Sequence, residues 1–175
     1  MRRKNGFTLI ELLVVLGILS VLIGILLPTL AGARKKARSV ACKAQLQNIG
    51  AAFQMYLNAN KNRYPYSGPL PSAIPSGSDQ KPLPELLASY VSNQMKVFHC
   101  PADESLFQDE GISYFYYSEI GEYPMKDTFF YKMFHSASLV PILWDAANFH
   151  GGQLPYNWLF ADGHVDNFLS DAQAP

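Results

Sequence analysis

Four histidines (His99, His135, His150 and His164), two cysteines (Cys42 and Cys100) and the turn-like run Asp162-Gly163-His164 are the residues of this chain whose types could do chemistry. His150, Asp162 and His164 could converge on a metal ion, but His-x11-Asp-x-His is no zinc spacing. An aspartate ahead of a glycine more simply bonds its own turn backbone. The chain contains no Gly-rich phosphate loop and no convincing nucleophile–base arrangement. Cys42 and Cys100 can bond to each other only in an oxidising compartment, and whether they meet is not legible in their spacing. The remaining candidate is Glu11, the single charge among the 27 residues from Phe7 to Ala33. A carboxylate in an apolar run is costly unless partnered, which makes it a functional hypothesis by default.

The element that must position Glu11 is the apolar run itself. Arg2, Arg3 and Lys4 precede it, and Arg34, Lys35, Lys36 and Arg38 follow it. At about 1.5 Å per residue a helix of that length reaches roughly 40 Å, more than the roughly 30 Å of a hydrocarbon core. The run can therefore span a membrane. A secretory signal peptide fits poorly, because its apolar region is about 7–15 residues and its small cleavage residue follows that region. Here the small residue, Gly6, comes first. A plain anchor fits the length but leaves Glu11 unexplained.

Lys4-Asn5-Gly6-Phe7-Thr8-Leu9-Ile10-Glu11-Leu12-Leu13-Val14-Val15 resembles the class III signal of type IV pilins and type II secretion pseudopilins. That resemblance implies a cut after Gly6 by a prepilin peptidase, followed by N-methylation of Phe7. It also implies that Glu11 pairs with the Phe7 ammonium of a neighbouring subunit. Pairing within the same chain, or protonation, remains the plainer alternative for Glu11. The implied partners are prepilin peptidase, copies of the chain or related pilins, an inner-membrane assembly platform and the lipid bilayer. The implied location is the bacterial inner membrane in a single pass, with the leader cytoplasmic and the head periplasmic, or an extracellular filament.

Charge is distributed unevenly along the chain. Residues 39–175 carry seven basic against thirteen acidic side chains, a net of −6. An acidic head argues against nucleic acid as a partner. The cluster Arg34–Arg38 suits lipid head groups or acidic neighbours. Basic residues flank the run on both sides, so charge alone does not orient it.

Gly17, Gly24, Pro28 and Gly32 interrupt the leucines, isoleucines and valines of the run. Proline frees a carbonyl and kinks a helix, and glycine permits close helix approach in lipid. A kinked, tightly packed membrane helix is one reading. The resemblance implies another, a segment that bends or partly unwinds when subunits pack. Beyond the run, Cys42, Leu46, Ile49, Phe53 and Tyr56 step by 4, 3, 4 and 3, one face of an amphipathic helix over residues 37–58. The asparagines between Asn58 and Asn62 should end it. Cys42 lies on the buried face. A Cys42–Cys100 disulfide tying spine to head and a pair of free thiols both remain open.

Residues 63–84 hold six prolines and read as loop. Leu83–Val91 reads as a short helix burying Leu86, Leu87 and Tyr90, and Val97–Pro101 as a short extended piece. Ile112–Ser118 and Leu139–Trp144 read as strands, the second an edge strand because of Pro141. Phe129–Phe134 reads as a short helix, and Tyr114–Tyr117 as core aromatics. Asp162-Gly163 between Asn157–Phe160 and His164–Leu169 signals a hairpin with a type I′ turn. Trp144-Asp145, His150-Gly151-Gly152 and Leu159–Val165 resemble the C-terminal H-X9-DG domain of certain prepilin-like proteins, with eleven residues between His150 and Asp162 instead of nine. Val97–Pro101 resembles a Cys-Pro piece found in those proteins. Because some major pseudopilins bind calcium in a C-terminal loop, Asp162 and Asp166 are an alternative calcium pair. The turn reading is adopted, with no metal and no cofactor expected.

The expected fold is α+β, a long N-terminal helical spine packed on a small antiparallel sheet. The expected organisation is a leader at 1–6, a membrane and assembly helix at 7–33, an amphipathic half at 34–60 and a pilin-like head at 61–175 ending in the hairpin. The expected function is that of a non-enzymatic filament subunit, in a pilus or a secretion pseudopilus. The alternative is a membrane-anchored extracytoplasmic binding module that does not polymerise. An anchored hydrolase would need a polar pocket with a base, which the sequence does not offer.

Overall fold

A computed structural model describes residues 9–150 and 156–167. One helix, α1, runs Leu9–Ala59, passing unbroken through Gly17, Gly24, Pro28 and Gly32. The chain divides into two compact units that meet between Ala37 and Arg38.

In the first unit the helical residues from Leu9 to Leu27 that carry large apolar side chains are between 46% and 82% exposed. The small hydroxyls in this stretch turn inward on the backbone: Ser20 donates to the Leu16 carbonyl at 2.7 Å and Thr29 to that of Leu26 at 2.9 Å. Such local bonds keep polar side chains satisfied without water.

In the second unit α1 buries one face. Cys42, Leu46, Ile49, Ala52 and Phe53 are fully buried, and Leu57 nearly so. Tyr56, expected on this face, is half-buried. The drift from Tyr56 to Leu57 follows from the helical period of 3.6 residues, which a strict 4–3 step only approximates. The helix ends where Lys61 and Asn62 turn left-handed (φ 56° and 57°) and the Asn60 amide donates to the Tyr56 carbonyl at 2.8 Å. Asparagine tolerates that conformation better than most residues.

The sheet has four antiparallel strands in the order β1 (Tyr114–Tyr116), β2 (Pro141–Asp145), β3 (Trp158–Phe160) and β4 (Val165–Asp166). Alternation decides which aromatics face the core. Tyr114 and Tyr116 are fully buried, and Phe53 of α1 stacks on Tyr116 with ring centroids 5.9 Å apart. Phe115 and Trp144 stack on the opposite face of the sheet at 5.1 Å, and Trp144 on Trp158 at 4.7 Å. Three short helices complete this unit: α2 (Leu83–Leu87), α3 (Leu106–Glu110) and α4 (Phe129–Phe134).

Five local expectations differ from the structure. The β2 strand is central, paired on both sides, and not an edge. Pro141 is accommodated because it is the first residue of the strand and the register shifts between Pro141 and Leu143, a place where a missing N–H costs little. The extended piece expected over Val97–Pro101 begins later, because Met95–Phe98 is a 3-10 turn and His99 is the first extended residue after it. In the Leu83–Val91 helix, which turns 3-10 after Leu87, the buried residues are Leu83, Pro84 and Leu87; Leu86 and Tyr90 are half-buried. The hairpin turn is not type I′: only Gly163 has positive φ (92°). Gly163 N–H donates to the Phe160 carbonyl, and Phe160 N–H to that of His164. That is a three-residue loop whose glycine occupies the left-handed position, the second common hairpin solution. The expected strand over Ile112–Ser118 contracts to β1. Leu169, expected in the last strand, lies outside the described residues.

The helix and the hairpin meet closely. A Cβ on Gly50 would stand 2.9 Å from Leu159 Cδ1, so glycine lets α1 approach β3. Gln54 reaches across to donate to the Ala161 carbonyl at 3.0 Å.

Candidate functional site

Glu11 sits in the first turn of α1. Gly6 and Phe7, the expected cleavage and methylation residues, lie outside the described residues, as do Gly151 and Gly152. At Gly17, Gly24 and Gly32 an added Cβ would meet nothing within 4 Å. No contact within the described chain therefore demands glycine at these positions. The helix is long and apolar enough to cross a membrane.

A second constellation lies in the core. Cys42 of α1 and Cys100 are joined by a disulfide, with Cα atoms 5.0 Å apart and both residues fully buried. The 3-10 turn Met95–Phe98 delivers Cys100, and a polar network holds it there. Cys100 N–H donates to Ser113 Oγ at 3.0 Å, and Ser113 Oγ donates to Asp103 Oδ2 at 2.6 Å. Asp103 also accepts from the N–H groups of Ser105, Leu106 and Phe107 at 2.8–3.0 Å, which caps α3. Burial works to raise the Asp103 pKa, but the Ser113 hydroxyl and the three backbone donors outweigh it and hold the carboxyl below its ordinary value.

On the other side of the disulfide stands His150. Its Nε2 is 3.7 Å from Cys100 Sγ and 3.3 Å from Asp145 Oδ2. Asp145 is fully buried at the end of β2 and accepts from the Asn157 backbone N–H at 2.7 Å and from its side-chain amide at 2.8 Å. Asp145 Oδ1 and His150 Nδ1 are buried and have no hydrogen-bond partner among the described residues.

The expected meeting of His150, Asp162 and His164 does not occur. The histidines fall into separate pairs, His150 with Asp145 and His164 with Asp162. The cause is topological: the hairpin loop carries Asp162 and His164, whereas His150 follows β2 and returns to the core. Asp162 Oδ1 accepts from the His164 N–H at 3.1 Å, the self-bonding turn arrangement. Asp166, on β4, lies 3.9 Å from Lys43 Nζ. Among the described residues, the group of three potential ligands that does converge is Cys42, Cys100 and His150. Asp103, Ser113 and Asn157 were not anticipated, and Asp145 entered only as part of the H-X9-DG resemblance, with no role. For Asp103 a signal was available, an acidic residue ahead of a helix. For Asn157 none was, because its partnership with Asp145 spans two strands, and for Asp145 the motif resemblance gave the position but not the partner.

The family of the prokaryotic N-terminal methylation motif matches residues 1–27. The type IV wide pilus major component PilA4 of Thermus thermophilus is 42% identical over 64 residues, which is 37% of this chain and 48% of that protein. The type II secretion system core protein G of Pectobacterium carotovorum is 38% identical over 63 residues, 36% of this chain and 40% of that protein. The protein of the same name from Aeromonas hydrophila is 38% identical over 64 residues, 37% of this chain and 44% of that protein. The chain thus spans less than half the length of the curated relatives it matches. No solved structure matches it. The chain carries a prokaryotic N-terminal methylation motif on a long apolar helix, and it is similar over about a third of its length to a type IV pilin and to type II secretion core proteins G.

Proposed function

We propose that this chain is a non-enzymatic subunit of a type IV pilus-like or type II secretion pseudopilus filament. A prepilin peptidase cuts it after Gly6 and methylates Phe7. The product, anchored in the inner membrane with its second unit outside the cytoplasm, assembles through α1. The C-terminal hairpin fits the H-X9-DG resemblance and belongs to this reading.

The observation that carries it is the methylation motif over residues 1–27 on a helix whose large apolar side chains from Leu9 to Leu27 are left exposed by the described residues. An apolar surface of that extent needs lipid or other helices. The open space at Gly17, Gly24 and Gly32 supports close packing against copies, since small residues let helix backbones approach in a membrane. Head-to-tail contacts of this kind generate open filaments.

Mass spectrometry of membrane-purified protein tests the processing: the mature chain begins at N-methylated Phe7, and Gly6→Val blocks the cut. Glu11→Ala tests the assembly. The variant is processed and inserted, because removing a carboxylate from lipid costs nothing. It fails to assemble, because a buried ammonium left without its partner costs about 3–5 kcal/mol at each subunit contact. Filaments of Glu11→Ala like those of wild type would refute pairing between neighbours. Absence of any filament from wild type with its assembly machinery would leave an anchored, non-polymerising module.

A further inference from the structure

We infer that Cys42, Cys100 and His150 form a redox-gated site for a soft divalent cation such as zinc, which the reduced chain binds and the disulfide excludes. In the oxidised protein the three ligand atoms already lie within 4.8 Å of one another, and all three residues are buried. Zinc takes thiolate sulfur at about 2.3 Å and imidazole nitrogen at about 2.0–2.1 Å in tetrahedral array. The edges of such a tetrahedron are about 3.6 Å between sulfur and nitrogen and about 3.4 Å between nitrogen and oxygen. The structure places His150 Nε2 3.7 Å from Cys100 Sγ and 3.3 Å from Asp145 Oδ2. Asp145 Oδ2 can therefore supply an oxygen at a fourth position.

Two features beyond the convergence point to a ligand. His150 turns Nε2, not its unpartnered Nδ1, toward Cys100 Sγ and stands beside the fully buried Asp145 carboxylate, so an ionisable pair is buried where an apolar core does not reward it. The surroundings are also rigid: Ser113 and Asp103 fix Cys100, while Asn157 fixes Asp145. Anchored outer-shell groups of this kind raise metal affinity by about 10–100-fold.

The chemistry balances as follows. A dithiol reductant passes two electrons and two protons to the Cys42–Cys100 bond, giving two thiols and the reductant's own disulfide. Zinc then displaces both thiol protons to solvent and takes the two thiolates and the imidazole. The two states exclude one another because each sulfur either bonds its partner or the cation.

The test uses the full chain in detergent, reduced with a phosphine, freed of metal and titrated with zinc chloride or cobalt chloride. We expect one ion per chain, a thiolate-to-cobalt charge-transfer band with tetrahedral d–d absorption, and at least about tenfold weaker binding in His150→Ala, a loss of the size that removing a metal-supporting group brings. His135→Ala, at an exposed histidine, binds as wild type does, and so does not mimic His150. The unreduced protein binds no ion. If reduction loosens the fold, zinc restores the near-ultraviolet circular dichroism of the aromatic core in wild type but not in His150→Ala. Equal binding by wild type and His150→Ala, binding by the oxidised protein, or no stoichiometric binding by the reduced chain overturns the proposal.

Discussion

Replacing Cys42 and Cys100 together by alanine removes the only covalent cross-link the sequence allows. The cysteines are 58 residues apart in sequence. In the chain-entropy account, opening a loop of that length returns about 14 cal/mol/K to the unfolded ensemble, or about 4 kcal/mol at 25 °C. The lost sulfurs are fully buried, so a small cavity adds about 1 kcal/mol. A loss of that size is large against the roughly 5–15 kcal/mol by which domains are stable. Urea unfolding of the full chain in detergent measures it. Trp144 and Trp158 stack 4.7 Å apart on adjacent strands of the sheet, so their fluorescence reports loss of the second unit. The unfolding free energy should fall by about 4–5 kcal/mol, with a steeper slope because the unlinked denatured chain exposes more surface. Wild type treated with reductant in a chelating buffer should lose a comparable amount. A loss of less than about 1 kcal/mol in the double variant would refute the reasoning. It would mean that the network around Cys100, not the bond, holds that segment on α1.

Three further expectations follow from the core. Asp103→Ala removes the cap of α3 and the partner of Ser113, at about 1–2 kcal/mol for the cap and about 1–3 kcal/mol for a buried hydroxyl left unpaired; thermal unfolding should show the loss. Because the folded pKa of Asp103 is lowered, its contribution is present above the ordinary carboxylate range and disappears as pH falls through the folded value, so the variant and wild type converge in acid. Burial pushes the pKa of Tyr64, Tyr114 and Tyr116 upward; their neutral forms stabilise the fold below pH about 10, and that stability is lost as pH rises beyond it, so in a pH titration the share of phenolate absorbance due to these three, absent from a variant with all three replaced by Phe, should appear together with unfolding. Gly50→Val forces two methyl groups toward Leu159 and the Gly163 carbonyl and should cost about 1–3 kcal/mol, more than Gly50→Ala; an unchanged urea midpoint in Gly50→Val would refute the close approach of α1 to β3.

What could be read from the sequence was whatever depends on near neighbours along the chain. The apolar run and the stripe of Cys42, Leu46, Ile49 and Phe53 are periodic signals, whereas of Tyr114–Tyr117, all read as core, only Tyr114 and Tyr116 are fully buried and Phe115 and Tyr117 are half-buried. Periodicity fixes which residues share a face before any partner is known. The short motif around Gly6 and Glu11 was legible for a different reason, since a peptidase site must be contiguous. The position of the hairpin was legible from Asp162-Gly163, but its turn type was not. Whether the glycine takes the second or third loop position depends on how the strands twist and pair, not on the dipeptide alone.

Tertiary structure decided everything that joins distant segments. Pro141 looked like an edge marker, yet a register shift lets it begin a central strand. Gly50 carries no signal in the sequence, and only the fold sets Leu159 against it. His150 looked like a companion of Asp162 and His164. The chain after β2 instead turns it toward Asp145 and the Cys42–Cys100 bond. No local preference encodes such a meeting. It arises because packing the sheet on α1 buries these polar groups together, and buried polar groups must find one another when water is gone.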